Sequence, residues 1–201
     1  MRALDLKLAR DLWRLRGQVL AIALVLAAAS ATFIMSQGLH RSLSATRDAY
    51  YARNQFADLF AQAVRAPRSV VGRIAALPGV RQAEGGIQAY ATLDFPGSTV
   101  PVRALINTLA DNGQNRLNKV TLRQGRMPRA GQPSEVVVDE AFAKANGLFP
   151  GSRLSALVHG RRLSLNVVGI GMAPNFVYAM APGDLLPDNR RFGVFWMGRR
   201  G

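Results

Sequence analysis

The residue types that most often carry catalysis or bind metals are sparse in this sequence. Its 201 residues include two histidines and no cysteine, which excludes a thiolate nucleophile, a disulfide framework and thiolate metal sites. No carboxylate-rich motif lies near His40 or near His159. The sequence therefore predicts neither a metal site nor a general base at these histidines.

Two further patterns invite a chemical interpretation. Gly169-Ile170-Gly171 follows a predicted strand but lacks the third glycine and the helix of a dinucleotide-binding motif, so we predict a bend there. Asp139 and Glu140 are interpreted as the end of a strand and the start of a helix. No P-loop motif for ATP is present. We therefore predict no catalytic, cofactor-binding or metal-binding residues and no enzymatic activity.

The net charge of +14 raises the question of nucleic-acid binding. The basic residues are spread along the chain, and the densest clusters are the pairs Arg161–Arg162, Arg190–Arg191 and Arg199–Arg200. No basic helix interleaved with aromatic residues is present. We therefore expect no nucleic-acid partner, and interpret the charge as solvated surface or as attraction to anionic lipid.

The elements that position any site begin with a long apolar segment. Between Val19 and Met35 the only polar residues are Ser and Thr, and the uncharged stretch extends from Gly17 to Leu39. This is about the 20 residues that a helix needs to cross a hydrocarbon core. We predict a transmembrane helix at 17–39, which continues as a stalk helix.

The flanking charges indicate the orientation of this segment. Basic residues outnumber acidic ones before it, namely Arg2, Lys7, Arg10, Arg14 and Arg16 against Asp5 and Asp11. The positive-inside rule then predicts a cytoplasmic N-terminus and places the residues after about 39 outside the cytoplasm. Opposite the basic face runs a stripe formed by Leu4, Leu8, Leu12 and Leu15. This pattern predicts an interfacial amphipathic helix at 1–16.

A cleavable signal peptide is the alternative interpretation of the same segment. Ala29-Ser30-Ala31 has the small-x-small form of a cleavage site. The long charged region before Gly17 and the continuation of the apolar run to Met35 favour a retained span instead.

Beyond the stalk the patterns alternate between strand and helix. Strands at 56–64 and 87–95, around a short helix that begins near Pro67, predict a βαβ unit. Further strands are predicted at 100–106, 135–139, 154–158, 163–170 and 192–197, with a helix at 140–146, turns at 122–128 and a hairpin turn at His159-Gly160. Phe192, Phe195 and Trp196 in the last strand are interpreted as core rather than as a binding surface.

Several motifs together resemble the MacB-like/FtsX-like family of ABC-transporter permeases. They are a Gly-Arg-x-Pro turn at 125–128, a Glu-Val-Val strand with a short Ala-rich helix at 135–145, an Asn-Gly-Leu-x-x-Gly turn at 146–151 and a Val-Val-Gly-Ile strand end at 167–170. The opening segment at 4–18 is also similar to the start of such permeases.

The resemblance implies a permease subunit of the bacterial inner membrane with a periplasmic core domain. Such a permease forms a dimer, contacts membrane lipid and works with a separate ATP-binding cassette ATPase subunit, which binds the ATP. ATP-driven motion is relayed across the membrane to the periplasmic domain, for export or for lipoprotein or lipid handling. Because such permeases carry at least four spans, the resemblance also implies that this chain is a fragment or a truncated product.

The expected fold is α+β, with one transmembrane helix, a helical stalk, a βαβ membrane-proximal unit and an inserted β-rich subdomain. The expected divisions are an amphipathic helix at 1–16, a transmembrane helix at 17–39, a stalk at 40–54, a βαβ unit at 55–95, the inserted subdomain at 96–189 and a returning strand at 190–201. Two alternatives stay open, a single-span periplasmic adaptor and a secreted binding domain released at Ala31.

Overall fold

The computed structural model of the protein describes residues 7, 10, 11, 13–95, 100–110, 113 and 115–199. The chain forms two compact units, Met1–Ala49 and Tyr50–Gly201. Of the predicted amphipathic helix at 1–16, the leucines at 4, 8 and 12 lie outside the described residues, whereas Lys7, Arg10 and Arg14 are helical.

The first complete helix, α1, runs from Arg16 to Arg53 over 38 residues. Its sequence contains no proline and is rich in alanine and leucine, which favour a continuous helix. The predicted span at 17–39 and the predicted stalk are therefore one element. Among the described residues, α1 is the one helix long and apolar enough to cross a membrane, and none of its residues is buried in the protein. A signal sequence would meet the same criteria, so the cleavage alternative stays open.

The second unit is rich in β-structure. Its strands are β1 (Gln88–Asp94), β2 (Val102–Leu109), β3 (Thr121–Gly125), β4 (Glu135–Asp139), β5 (Arg153–Val158), β6 (Arg161–Met172) and β7 (Phe192–Gly198). Its helices are α2 (Ser69–Ala75), α3 (Glu140–Ala145) and the 3-10 turn Pro174–Phe176. The protein is therefore α+β, with one long apolar N-terminal helix and a β-rich domain.

Six of the strands close into a ring. The strand order is β3-β6-β4-β7-β2-β1-β5, and β5 also pairs with β6. Asn166 of β6 pairs with Arg153 of β5 and with Glu135 of β4, so these two strands lie on opposite edges of β6. β3 pairs with the later part of β6, beyond the β5 pairing. Among the described strands, β3 is then the one with an unpaired edge.

The hairpin between β5 and β6 closes the ring on one side. His159 and Gly160 both have positive φ, 47° and 78°, as a two-residue type I′ turn requires. The antiparallel register then brings Leu154 opposite Leu165. The predicted hairpin and its turn are confirmed.

The interior of the ring is the main hydrophobic core. All six ring strands and α3 contribute buried side chains to it, among them Leu93, Ile106, Val138, Leu165 and Phe195. A ring of this size has room for packed side chains rather than for a channel.

A second core covers the outer face of β2, β7 and β4. Leu105, Val137 and Trp196 lie on this face, under the chain that follows β6. Phe192, Phe195 and Trp196 are 3%, 0% and 2% exposed. Their interpretation as core is confirmed.

Three expectations for this domain need correction. The segment 56–64 contains no strand, because its backbone pairs with no other strand among the described residues. The segment predicted as turns contains β3, which is held by pairing with β6. The βαβ unit and the separate inserted subdomain are not confirmed, because β1 lies in the same sheet as the strands of 96–189, and β7 pairs with β2 and β4.

Candidate functional site

The two histidines considered for chemistry lie far from any carboxylate cluster in sequence, and the structure shows where each is placed. His40 is an exposed residue of α1, and His159 occupies the turn between β5 and β6. In the described part of the chain, no group of three or more His, Asp or Glu residues is placed to hold a metal ion.

The glycine pair at 169 and 171 lies inside β6, where we predicted a bend. A Cβ at Gly171 would lie 2.8 Å from the carbonyl oxygen of Thr121, and one at Gly169 would clash with the carbonyl oxygen of Arg126. The register between β4 and β6 also shifts near this point. These glycines therefore let β3 approach β6 closely, at an irregular point in the pairing of β6.

Asp139 is the last residue of β4 and caps helix α3, which begins at Glu140, as the sequence predicts. Its carboxylate accepts hydrogen bonds from the backbone N–H groups of Ala141 and Phe142, at 3.1 and 3.2 Å. This is the geometry of an N-cap. Burial raises the pKa of Asp139, and the two backbone N–H donors oppose that rise. The carboxylate is thus a structural cap rather than a candidate base.

Among the described residues, the shortest ion pair lies after β3. The Arg126 guanidinium donates to both carboxylate oxygens of Glu135, at 2.7 and 2.5 Å. The backbone N–H of Arg129 donates to the same carboxylate at 2.8 Å. The hydrogen bond from Arg126 lowers the pKa of Glu135 from its ordinary value of 4.5 to about 2. The pair therefore fixes the turn after Gly125 against the start of β4 at neutral pH.

The end of α1 has the geometry of a Schellman motif. The backbone N–H of Phe56 donates to the carbonyl of Tyr51 at 2.9 Å, and that of Gln55 donates to the carbonyl of Ala52 at 3.3 Å. The Tyr51 and Phe56 rings stack with centroids 4.5 Å apart. Gln55 has a φ of 52°, in the left-handed region where such motifs usually place glycine.

Asn54, the residue after α1, is 4% exposed and joins the helix end to the chain before β3. Its side-chain oxygen accepts from the Thr121 hydroxyl at 2.7 Å, and its amide nitrogen donates to the Tyr50 carbonyl at 2.9 Å. Its own carbonyl accepts from the Lys119 backbone N–H at 2.9 Å. All of these groups belong to the second unit.

Asn118 completes the connection from the other side. Its backbone N–H donates to the Gln55 carbonyl at 2.9 Å, and its side-chain oxygen accepts from the Ala57 backbone N–H at 3.1 Å. We use the name anchor cluster for Tyr51, Asn54, Gln55, Phe56, Asn118, Lys119 and Thr121. Asn54 is the buried member of this cluster, and its bonds to Thr121 and Tyr50 fix its geometry, because an unpaired buried group would carry a desolvation cost.

The anchor cluster has the means to hold two chain segments in register. Sequence analysis predicted the end of the stalk helix near Arg53, and α1 ends there. It did not predict the cluster, because neither Asn118 nor Thr121 lies in a helix or strand that the sequence predicts. An asparagine directly after a long helix, followed by Gln-Phe, was the available signal.

No protein-family model matches the chain. No curated protein matches it either. Among solved structures it is similar to the extracellular domain of the noncanonic ABC-type transporter YknZ from Gram-positive bacteria, at 12% identity and a TM-score of 0.38. That match covers 71% of this chain and 68% of the other. At this TM-score and identity the likeness establishes neither a shared fold nor a shared function, and the MacB-like/FtsX-like resemblance is not confirmed.

Proposed function

We propose that this chain is the N-terminal part of an ABC-transporter permease subunit of the MacB-like/FtsX-like type. In this role it relays the ATP-driven motion of a separate ATPase subunit to an extracytoplasmic domain, for export or for lipoprotein or lipid handling. The chain itself binds no ATP and performs no chemistry in this proposal. Its partners are the ATPase, a second permease copy and membrane lipid.

The observation that carries the proposal is the continuity of α1. Its 38 residues correspond to a length of about 57 Å at the usual rise per residue, whereas a hydrocarbon core needs roughly 30 Å. A helix of this length can cross the bilayer and continue beyond it without a break. Because a helix resists compression along its axis, displacement at one end is passed to the other.

In the proposal, the anchor cluster passes the motion of the helix end to the β-rich domain. The helix ends in a Schellman motif whose next residues are bonded to Asn118, Lys119 and Thr121. Thr121 begins β3, which pairs with β6 of the closed ring. In the proposal, movement of the helix end therefore acts on β3 and β6 first.

A crosslinking pull-down tests the proposal. The full-length product of the locus, tagged near Met1, is crosslinked in its native membranes and purified. We expect an ATP-binding subunit to co-purify, the segment before residue 39 to be intact and the tag to face the cytoplasm. A chain shortened at Ala31, or a membrane protein without an ATPase partner, would contradict the permease role.

The relay itself needs a second measurement. Asn54→Leu removes the side-chain bonds of Asn54 to Thr121 and Tyr50 while leaving α1 intact. We expect the variant to retain the ATPase but to lose the ATP-dependent change in protease sensitivity or crosslinking of the β-rich domain. An unchanged ATP response in this variant would show that the anchor cluster does not transmit the motion.

A single-span periplasmic adaptor is the second candidate, and the closed ring favours it. A ring with β3 as its unpaired edge is a self-contained domain, as expected of a tethered binding module. A retained span that co-purifies with a periplasmic or outer-membrane partner, and with no ATPase, would favour this function.

A further inference from the structure

The segment 56–81, between the end of α1 and the chain leading to β1, carries large apolar side chains on its surface. Leu59, Phe60 and Val64 are 91%, 58% and 109% exposed. Ile74 and Leu77, in and after α2, are 42% and 55% exposed, and α2 has no buried residue. Exposed apolar groups in one segment indicate a surface that is covered in the working protein.

The same segment is strongly basic. Residues 56–81 include four arginines, Arg65, Arg68, Arg73 and Arg81, against the single acidic residue Asp58. All four arginines are exposed. In the part of the chain that the structure describes, none of them forms an ion pair. The charges are therefore available to a negatively charged surface.

We propose that the segment 56–81 lies on anionic phospholipid, with Leu59, Phe60 and Val64 inserted among the headgroups and the arginines on the phosphates. Apolar side chains combined with arginines are the composition of interfacial lipid-binding segments. Each basic residue near an anionic bilayer adds to the attraction. The inference rests on the proposed function in taking α1 to be retained in the membrane, and it requires that helix to be tilted, because residues 40–53 of an upright α1 would carry the segment about 20 Å beyond the hydrocarbon.

The backbone of the segment limits the depth of insertion. Between residues 58 and 66 the described chain makes no backbone–backbone hydrogen bond. Unpaired peptide groups are too costly to place in hydrocarbon, where no water can bond them. The segment therefore rests at the headgroup level, where its peptide groups stay hydrated.

Two protein occupants fit this surface less well. A second copy of the chain would bring its own four arginines against these four, and like charges oppose such contact. An added β-strand would cover one face, whereas the adjacent side chains of Leu59 and Phe60 would point to opposite faces of a strand. Pro67 also lacks the N–H that a ladder needs.

The absence of cysteine allows a single reporter to be placed on the full chain. L59C is labelled with an environment-sensitive fluorophore, and the protein is reconstituted in phosphatidylcholine bilayers with or without phosphatidylglycerol. Spin-labelled lipids then quench any fluorophore at the headgroup level. L185C is the matched control, because Leu185 is 95% exposed and lies next to Asp184 in another loop.

We expect lipid quenching of the L59C label in phosphatidylglycerol bilayers and little quenching of the L185C label in either bilayer. Arg65→Gln with Arg68→Gln should lower the ratio of lipid-contacting to free label by about fivefold for each arginine. The buried Trp196 reports whether each variant is folded.

Equal quenching at L59C and L185C would overturn the proposal that the segment lies on anionic phospholipid. Quenching at L59C that does not depend on phosphatidylglycerol would overturn it as well. Copy-to-copy crosslinking through L59C in both bilayers would overturn it in favour of a protein partner. The Arg65→Gln, Arg68→Gln variant is also tested for pull-down of the ATPase. If the ATPase still co-purifies, the permease role holds even where the lipid proposal fails.

Discussion

The side-chain oxygen of Asn54 accepts a 2.7 Å hydrogen bond from the hydroxyl of Thr121, across 67 positions of sequence. The acceptor belongs to a residue that is 4% exposed. The bond therefore connects the residue after α1 to the first residue of β3 in an environment where an unpaired oxygen is costly.

Thr121→Val should destabilise the β-rich domain by about 1–3 kcal/mol, because it leaves the Asn54 oxygen buried without a donor. The measurement is guanidinium unfolding of the full chain in detergent, followed by Trp196 emission in a Trp13→Phe background. Thr92→Val, at an exposed position of β1, is the control and should change the free energy of unfolding by less than about 0.5 kcal/mol. Equal effects of the two substitutions would contradict a special role for the Asn54–Thr121 bond.

Gln55→Gly should stabilise the domain. Gln55 has a φ of 52°, and an L-residue other than glycine loses about 1–2 kcal/mol in the left-handed region. The end of α3 offers the matched comparison, because it has the same motif with Gly147 at a φ of 65° and a 2.9 Å bond from Leu148 to Ala143. Gly147→Ala should lower the midpoint of unfolding as Gln55→Gly raises it. A decrease on Gln55→Gly would mean that the 3.0 Å hydrogen bond from the Gln55 side-chain nitrogen to the Ala52 carbonyl outweighs the cost of the left-handed backbone.

Glu135 should make the domain sensitive to acid. Because its folded pKa of about 2 lies below the ordinary 4.5, its contribution is complete above pH 4.5 and is lost as the pH falls through about 2. The partner Arg126 has a side chain that is 41% exposed, so solvent screening reduces the contribution of this pair to stability. Glu135→Gln should flatten the dependence of stability on pH in this window.

The control for Glu135 is Glu140→Gln. Glu140 pairs with Arg123 at 3.2 Å, and their side chains are 48% and 52% exposed. This substitution should leave the acid limb of the stability curve nearly unchanged, since exposed pairs contribute little. A similar loss in both variants would show that the acid sensitivity has another origin.

Gly193→Ala should destabilise the core. A Cβ at Gly193 would lie 2.6 Å from Cγ of Phe142, which is fully buried. Such overpacking costs about 1–3 kcal/mol. Phe142→Leu in the same chain should recover part of the loss, and Gly72→Ala in α2, where a Cβ meets nothing within 4 Å, should be neutral or stabilising. No recovery with Phe142→Leu would show that the clash is not with that ring.

Elements with strong local signals were predictable from the sequence. The alternation at 87–95 predicted β1, the Val136–Val138 run predicted β4, and His159-Gly160 predicted the β5–β6 turn. The end of α1 was also correct. In each case the residues that determine the structure lie next to one another in the chain.

Long-range pairing accounts for what the sequence did not predict. The segment 122–128 was interpreted as turns because it contains Gly125 and Pro128, and only pairing with β6 makes Thr121–Gly125 a strand. The segment 56–64 shows the reverse, since its aromatic and apolar residues favour a strand but find no partner among the described residues. The anchor cluster was hidden for the same reason, because Asn54 and Thr121 meet only in the folded domain.

The position of β7 between β2 and β4 has a consequence for biosynthesis. β7 is the last strand of the ring in chain order, and it supplies the pairing of Arg103 with Phe192 and of Val138 with Phe195. The chain must therefore be delivered to its folding compartment through Gly198 before the ring can close. Until then the facing edges of β2 and β4 are exposed as templates for aggregation. A nascent chain arrested before Phe192 should accordingly be degraded rapidly or retained by a chaperone, and one extended past Gly198 should become resistant to protease.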